Sequence, residues 1–94
     1  MIALHWTEPA ASDLSRIIDY LSDEAGLAVA LRIIEALHAA ATGLSQFPDR
    51  GRPGRVPGTR ELIVKPYVIA YRTKNDTVQI LRVLHGARRW PSSL

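Results

Sequence analysis

The chain has no cysteine, which removes disulfides, thiolate metal sites and cysteine nucleophiles together and suits a reducing compartment. It also has no apolar stretch near the roughly 20 residues a helix needs to cross a bilayer. The first residues, Met1-Ile2-Ala3-Leu4-His5-Trp6, lack a basic flank followed by a long apolar run, so no targeting segment is read there. The expectation is a soluble, cytoplasmic protein with no membrane partner. The histidines His5, His38 and His85 fall on separate segments without paired carboxylates, which argues against a zinc site. No glycine cluster follows a strand and opens a helix, which removes the dinucleotide and phosphate-loop fingerprints. No serine sits on a strand-turn-helix elbow of the hydrolase kind. Neither a cofactor nor a metal is therefore expected.

What is present is ample apolar content and a lopsided charge. With 94 residues and 47% hydrophobic side chains, one globular domain over residues 1–94 is expected. The net charge of +3 conceals an asymmetry. Residues 1–47 carry Arg16 and Arg32 against six acidic residues, a balance of −4, whereas residues 48–94 carry ten Lys or Arg against Asp49, Glu61 and Asp76, a balance of +7. Such a division points to an acidic or polyanionic partner for the basic half.

Ile2, Leu4 and Trp6 alternate with Ala3 and His5 in a short strand pattern that stops at Thr7-Glu8-Pro9. Thr can cap a helix, Glu favours the positive end of its dipole, and Pro is tolerated in the first turn, where no donor is required. Ala10, Leu14, Ile17, Ile18 and Leu21 then form one apolar stripe, predicting a helix to about residue 22, with Asp13 and Arg16 largely off that stripe. Asp23-Glu24-Ala25-Gly26 interrupts the pattern. Leu27, Ala30, Leu31, Ile34, Leu37, Ala41 and Leu44 then predict a second helix, and the short break makes the pair an antiparallel hairpin. His38, opposite much of the stripe, reads as solvated. Phe47-Pro48 ends the helix, and residues 49–58, rich in Gly, Pro and Arg, form a loop or irregular edge.

Three strand-like runs follow: Arg60-Glu61-Leu62-Ile63-Val64-Lys65, residues 67–73 and residues 77–89. Lys65-Pro66-Tyr67 allows only a reversal, and Lys74-Asn75-Asp76 is a hairpin turn in which Asn and Asp tolerate positive φ. Strict alternation along the third run would put Val78, Ile80, Arg82 and Leu84 on one face and Gln79, Leu81, Val83 and His85 on the other. Helices are expected on one face of the sheet and a groove or partner on the other, because both faces are partly apolar. The fold class is therefore α+β, a two-layer β-α-α-β-β-β chain with a helical hairpin on a small, mainly antiparallel sheet.

The ordered set Phe47-Pro48, Gly51-Arg52-Pro53, Arg60-Glu61-Leu62, Val68-Ile69-Ala70-Tyr71-Arg72, Val78-Gln79-Ile80-Leu81-Arg82-Val83-Leu84-His85 and Arg88-Arg89, following an acidic helical hairpin, resembles the RelE/ParE superfamily of bacterial type II toxins. The resemblance covers nearly the whole chain. It implies a small basic toxin neutralised by a co-expressed antitoxin, with one of two activities. RelE-like members cleave mRNA in the ribosomal A site with Arg, Lys and sometimes His or Tyr and no metal. ParE-like members act on DNA gyrase and lack the nuclease residues.

The residues favour the second branch. Nuclease members carry Arg three positions before the Tyr of the middle meander strand, where this chain has Val68 before Tyr71. They also tend to place a Tyr or a His-Tyr pair after the last strand, whereas here His85 is followed by Gly86 and Trp90 follows Arg88-Arg89. A ParE-like gyrase inhibitor with Arg60, Arg82, His85, Arg88, Arg89 and Trp90 as target-binding candidates is thus the leading expectation. The alternative is a metal-independent endoribonuclease acting on ribosome-bound mRNA, in which Arg60, Arg82 and Lys65 would supply charge and His85 a proton. Alternation sets His85 opposite Arg82 unless a bulge near Leu84-His85-Gly86 re-aims it. A non-toxic binding module or co-repressor working with its antitoxin is the third reading.

Overall fold

A computed structural model describes residues 2–94. Its elements run β1 (Ala3–Trp6), α1 (Glu8–Ala25), α2 (Leu27–Gly43), β2 (Arg52–Pro53), β3 (Arg60–Val64), β4 (Tyr67–Lys74) and β5 (Thr77–His85). The sheet order is β1-β5-β4-β3-β2. β1 lies parallel to β5, and the other pairings are antiparallel. The helical hairpin covers one face, giving the expected two-layer α+β arrangement with an added two-residue edge strand, β2, inside the predicted loop.

Local chemistry sets each boundary. Thr7 caps α1: its hydroxyl oxygen accepts from the Ala10 N–H at 3.4 Å and donates to the Ile80 carbonyl at 2.7 Å, so the cap also fastens the helix to β5. α1 runs through Asp23, Glu24 and Ala25, three residues predicted to break it. Only Gly26, at φ +92°, ends the helix, since that conformation is strained for residues with a Cβ. The Asn75-Asp76 turn has φ of 52° and 55°, the left-handed geometry whose twist matches paired strands.

The core lies between the helices and one face of the sheet. Leu37, Ala41 and Leu44 pack there with Tyr67, Ile69, Tyr71, Val78, Ile80 and Val83. In α2, the small residues Ala30 and Ala41 are fully buried, whereas Leu27 and Leu31, expected on the buried stripe, are 61% and 48% exposed. They lie in the first turns after the hairpin, where nothing in the described chain covers them.

One correction governs the placement of functional side chains. Ala70 pairs with Arg82 but Tyr71 pairs with Ile80, so Leu81 is an extra residue, a bulge in β5. A one-residue insertion reverses the alternation after it. Val78 and Ile80 therefore face the helices together with Val83 and His85, while Arg82 and Leu84 turn to the opposite face. That opposite face is not an open groove: Val68, Ala70 and Leu84 are buried there, 0–3% exposed, by the chain's own residues. The chain after β5 returns across this face, and the Trp90 ring lies 4.0 Å beneath the Arg55 guanidinium.

Candidate functional site

Arg82 is held inside the fold. Its Nε and Nη2 donate to the two carboxylate oxygens of Asp13 at 2.7 and 3.0 Å, and Asp13 also accepts the Val83 N–H at 2.9 Å and Arg16 Nη2 at 2.8 Å. β1 ends at Trp6, so β5 would otherwise show unpaired backbone beyond Ile80; Thr7 and Asp13 of the α1 region satisfy that stretch. Burial raises the Asp13 carboxyl, but the Arg82 and Val83 hydrogen bonds outweigh it and hold the group below the usual carboxylate range, while Asp13 in turn raises Arg82. Helical spacing placed Asp13 off the buried stripe; the structure leaves it 3% exposed, because a charge can be buried when every oxygen has a partner.

Arg60 is committed elsewhere. Its side chain donates to the Gly51 carbonyl at 2.7 Å and approaches the Asp49 carboxylate at 3.6 Å. The loop it grips is fixed by Tyr71, whose hydroxyl accepts from the Gly51 N–H at 2.9 Å and donates to the Pro48 carbonyl at 2.6 Å. A Cβ on residue 51 would fall 2.7 Å from that hydroxyl, so only glycine fits. Burial raises the Tyr71 phenol, which therefore stays protonated and able to donate. Arg60 projects from the helix face and Arg82 from the other, two strands apart, about 9–10 Å at the usual strand spacing. The expected Arg60–Arg82–His85 grouping does not form.

Glu61 is a second buried carboxylate that alternation did not single out. It accepts from the Arg55 N–H at 2.7 Å and from Arg52 Nη2 at 3.0 Å, with the Arg55 side chain at 3.5 Å. Burial raises it, but these partners outweigh burial and hold it below the usual range. Trp90 thus belongs to a chain of Glu61, Arg55 and indole rather than to a patch with Arg88 and Arg89. Lys65 and Arg89 are exposed, Lys65 in the β3–β4 turn.

His85 does share a groove with guanidinium groups, though not with the expected pair. A cavity of about 350 Å³ between α1 and the end of β5 is lined by Arg16, Ile17, Tyr20, Tyr67, His85 and Arg88 among others. His85 meets the Tyr67 ring edge-on at 5.7 Å, and its Nδ1 accepts from the Ala87 N–H at 3.1 Å. In a neutral ring that acceptor role leaves the proton on Nε2, making that nitrogen a donor. Arg16 and Tyr20 were missed because only the apolar stripe of α1 was followed; Asp13, Arg16, Ile17 and Tyr20 form a second face at spacings of three, one and three.

Comparison with known proteins agrees with this fold. Residues 4–90 match the family model for the ParE toxin of the type II toxin-antitoxin system parDE. Toxin RelE2 of Caulobacter vibrioides is 38% identical over 88 residues, covering 94% of this chain and 99% of the relative. Toxin ParE3 of the same bacterium is 34% identical over 82 residues, 85% of this chain and 82% of the relative. Among solved structures, the chromosomal ParDE toxin-antitoxin system of P. aeruginosa superposes with a TM-score of 0.84 at 34% identity, over 90% of this chain and 96% of the other. With a family match over nearly all its length and the same helical hairpin on the same kind of sheet, this chain belongs to the ParE toxin family of type II toxin-antitoxin systems, within the RelE/ParE superfamily.

Proposed function

We propose that this toxin is ParE-like in action: it arrests growth in the cytoplasm by engaging DNA gyrase through surface contacts, and a cognate antitoxin neutralises it. The observation that carries this reading is the commitment of Arg60 and Arg82 to Gly51, Asp49 and Asp13. Metal-free phosphodiester cleavage needs cations free to meet charge developing on the phosphate, together with a proton acceptor. Here the two central arginines are bound internally, Val68 stands where nuclease members carry Arg, and the His85 Nδ1 is already taken by the Ala87 N–H. The relatives' names do not choose the branch, since one is a RelE toxin and one a ParE toxin at comparable identity.

The groove holding His85, Arg16 and Arg88 favours a second reading, a RelE-like endoribonuclease on ribosome-bound mRNA. Induction of the chain without antitoxin separates the two. Plasmid topology and primer extension on cellular mRNA are followed in parallel. Loss of supercoiling or DNA damage with intact transcripts is the expected outcome. A-site cuts in mRNA with normal supercoiling would transfer the toxin to the nuclease branch, and unimpaired growth would refute both.

A further inference from the structure

The two outer edges of the sheet are finished differently. At one end β2 is two residues long, Pro53 has no N–H to offer, and the Arg52 guanidinium is held on the Glu61 carboxylate at 3.0 Å, so a short, charged, proline-bearing strand closes the ladder. At the other end β1 has no Lys, Arg, Asp, Glu or Pro and no bulge, and no described residue pairs along its outer side. The Ala3 and Thr7 amides donate to the Asp76 and Ile80 carbonyls on the β5 side. By alternation, the N–H and C=O groups of Leu4 and Trp6 point away from the sheet. The Ile2 N–H, next in that outward row, is already taken by the Ser45 carbonyl at 3.0 Å. Four open backbone groups remain, centred on His5.

That pattern is its own complement. When a second β1 approaches antiparallel, the Leu4 N–H and C=O meet the C=O and N–H of Trp6 of the partner subunit, and the two-fold axis repeats the exchange. Of the antiparallel registers, this one alone uses all four groups of each copy. The side chains suit it. Leu4 and Trp6 turn to the helix face, where the Trp6 ring stacks on His38 of α2 at 6.2 Å, and Ala3 and His5 are exposed on the other. His5 falls on the axis, in a non-hydrogen-bonded pair whose facing Cβ atoms come within about 4.5–5.5 Å. Leu27 and Leu31, 61% and 48% exposed, share the α2 face of His38, so an uncovered apolar stripe borders the open edge. An uncharged edge beside exposed leucines fits a second copy of the same surface and offers nothing to a polyanion.

We infer that two copies of this chain pair through the outer edge of β1, antiparallel and two-fold symmetric, with Leu4 opposite Trp6 of the partner subunit and His5 on the axis, joining two five-stranded sheets into one of ten. The pairing does not depend on which target the toxin engages.

Sedimentation equilibrium of the full chain provides the test. Its mass should rise with concentration from 10.4 kDa toward twice that value. His5→Lys and His5→Glu, at an exposed position, each set like charges against one another across the axis and should raise the dissociation constant about tenfold or more. His5→Thr, uncharged and suited to a strand, should leave the dimer intact. An equimolar mixture of His5→Lys and His5→Glu should associate again, a rescue that requires position 5 to face itself. The chain has no native cysteine, so His5→Cys should give a disulfide-linked pair on mild oxidation, whereas Ala11→Cys, exposed on α1, should not. Circular dichroism confirms that each variant is folded. A chain monomeric at every concentration up to its solubility limit would overturn the pairing. So would a dimer unmoved by either charge, a mixture of the two charge variants that stays monomeric, or equal crosslinking from positions 5 and 11.

Discussion

Replacement of Asp13 by Ala tests how α1 is fastened to the sheet. The side chain is 2% exposed and receives two hydrogen bonds from Arg82, one from Arg16 and one from the Val83 backbone. Removing one partner of a buried ion pair costs about 3–5 kcal/mol because the other charge stays uncompensated. The Val83 N–H, left unmet, costs about 1–3 kcal/mol by itself, and the two losses overlap. A loss of at least about 3 kcal/mol is expected, a large part of the roughly 5–15 kcal/mol that stabilises a small domain. For a chain of this size it would lower Tm by about 12–24 °C. Urea unfolding followed by circular dichroism should show a lower midpoint with an unchanged slope. Arg82→Met introduced with Asp13→Ala should recover part of the loss, because it removes the stranded charge.

pH supplies an independent arm. Asp13 and Glu61 sit below their ordinary values in the folded state, so each stabilises the fold above the unfolded-state pKa, and that contribution disappears as pH falls through the depressed folded value. The stability gap between the unmodified chain and Asp13→Asn should therefore be full near neutrality and close below about pH 4. An Asp13→Ala cost under about 1 kcal/mol, or a gap independent of pH, would refute the view that this carboxylate holds the helix to β5.

Tyr71→Phe should cost about 1–3 kcal/mol and raise amide exchange over residues 48–52, because the Gly51 N–H and the Pro48 carbonyl lose their shared partner. Leu37→Ala should destabilise by about 2–5 kcal/mol, whereas Leu27→Ala and Leu31→Ala should stay within roughly 1 kcal/mol in chemical denaturation, since both leucines are largely exposed. In a Trp6→Phe background, Arg55→Ala should shift Trp90 emission to longer wavelengths, as the indole loses the guanidinium stacked on it; an unchanged spectrum would count against that contact.

The elements themselves were legible in the sequence because each carries a local signal: the Thr7 cap, the apolar stripe of α1, the Asn75-Asp76 turn and the alternation of β3 and β4. The resemblance that identified the superfamily rests on these elements in order and is matched by the family comparison over residues 4–90. The candidate site was much less legible. Leu81 looks like any other strand residue, yet its bulge reverses the side on which Arg82 and Leu84 emerge. Arg60 and Arg82 were read as candidates for contact with a target, but their partners Gly51 and Asp13 lie 9 and 69 positions away, and only the closed fold brings them within reach. Glu61 sits in a strand where its parity with Ile63 suggested nothing about burial, because its cover comes from the neighbouring loop and the chain after β5.

β1 is translated well before β5, yet they lie side by side, and Asp13 receives the Val83 amide from 70 positions further on. Contacts of such long sequence separation form late, after a large loop-closure entropy has been overcome. A ribosome still making this toxin thus carries a chain whose sheet lacks its longest strand and whose first helix has no anchor. Synthesis interrupted before Val83 would leave an unstructured product for proteolysis instead of a weakly poisonous fragment, so the cell meets the finished toxin only when translation has passed its final strand.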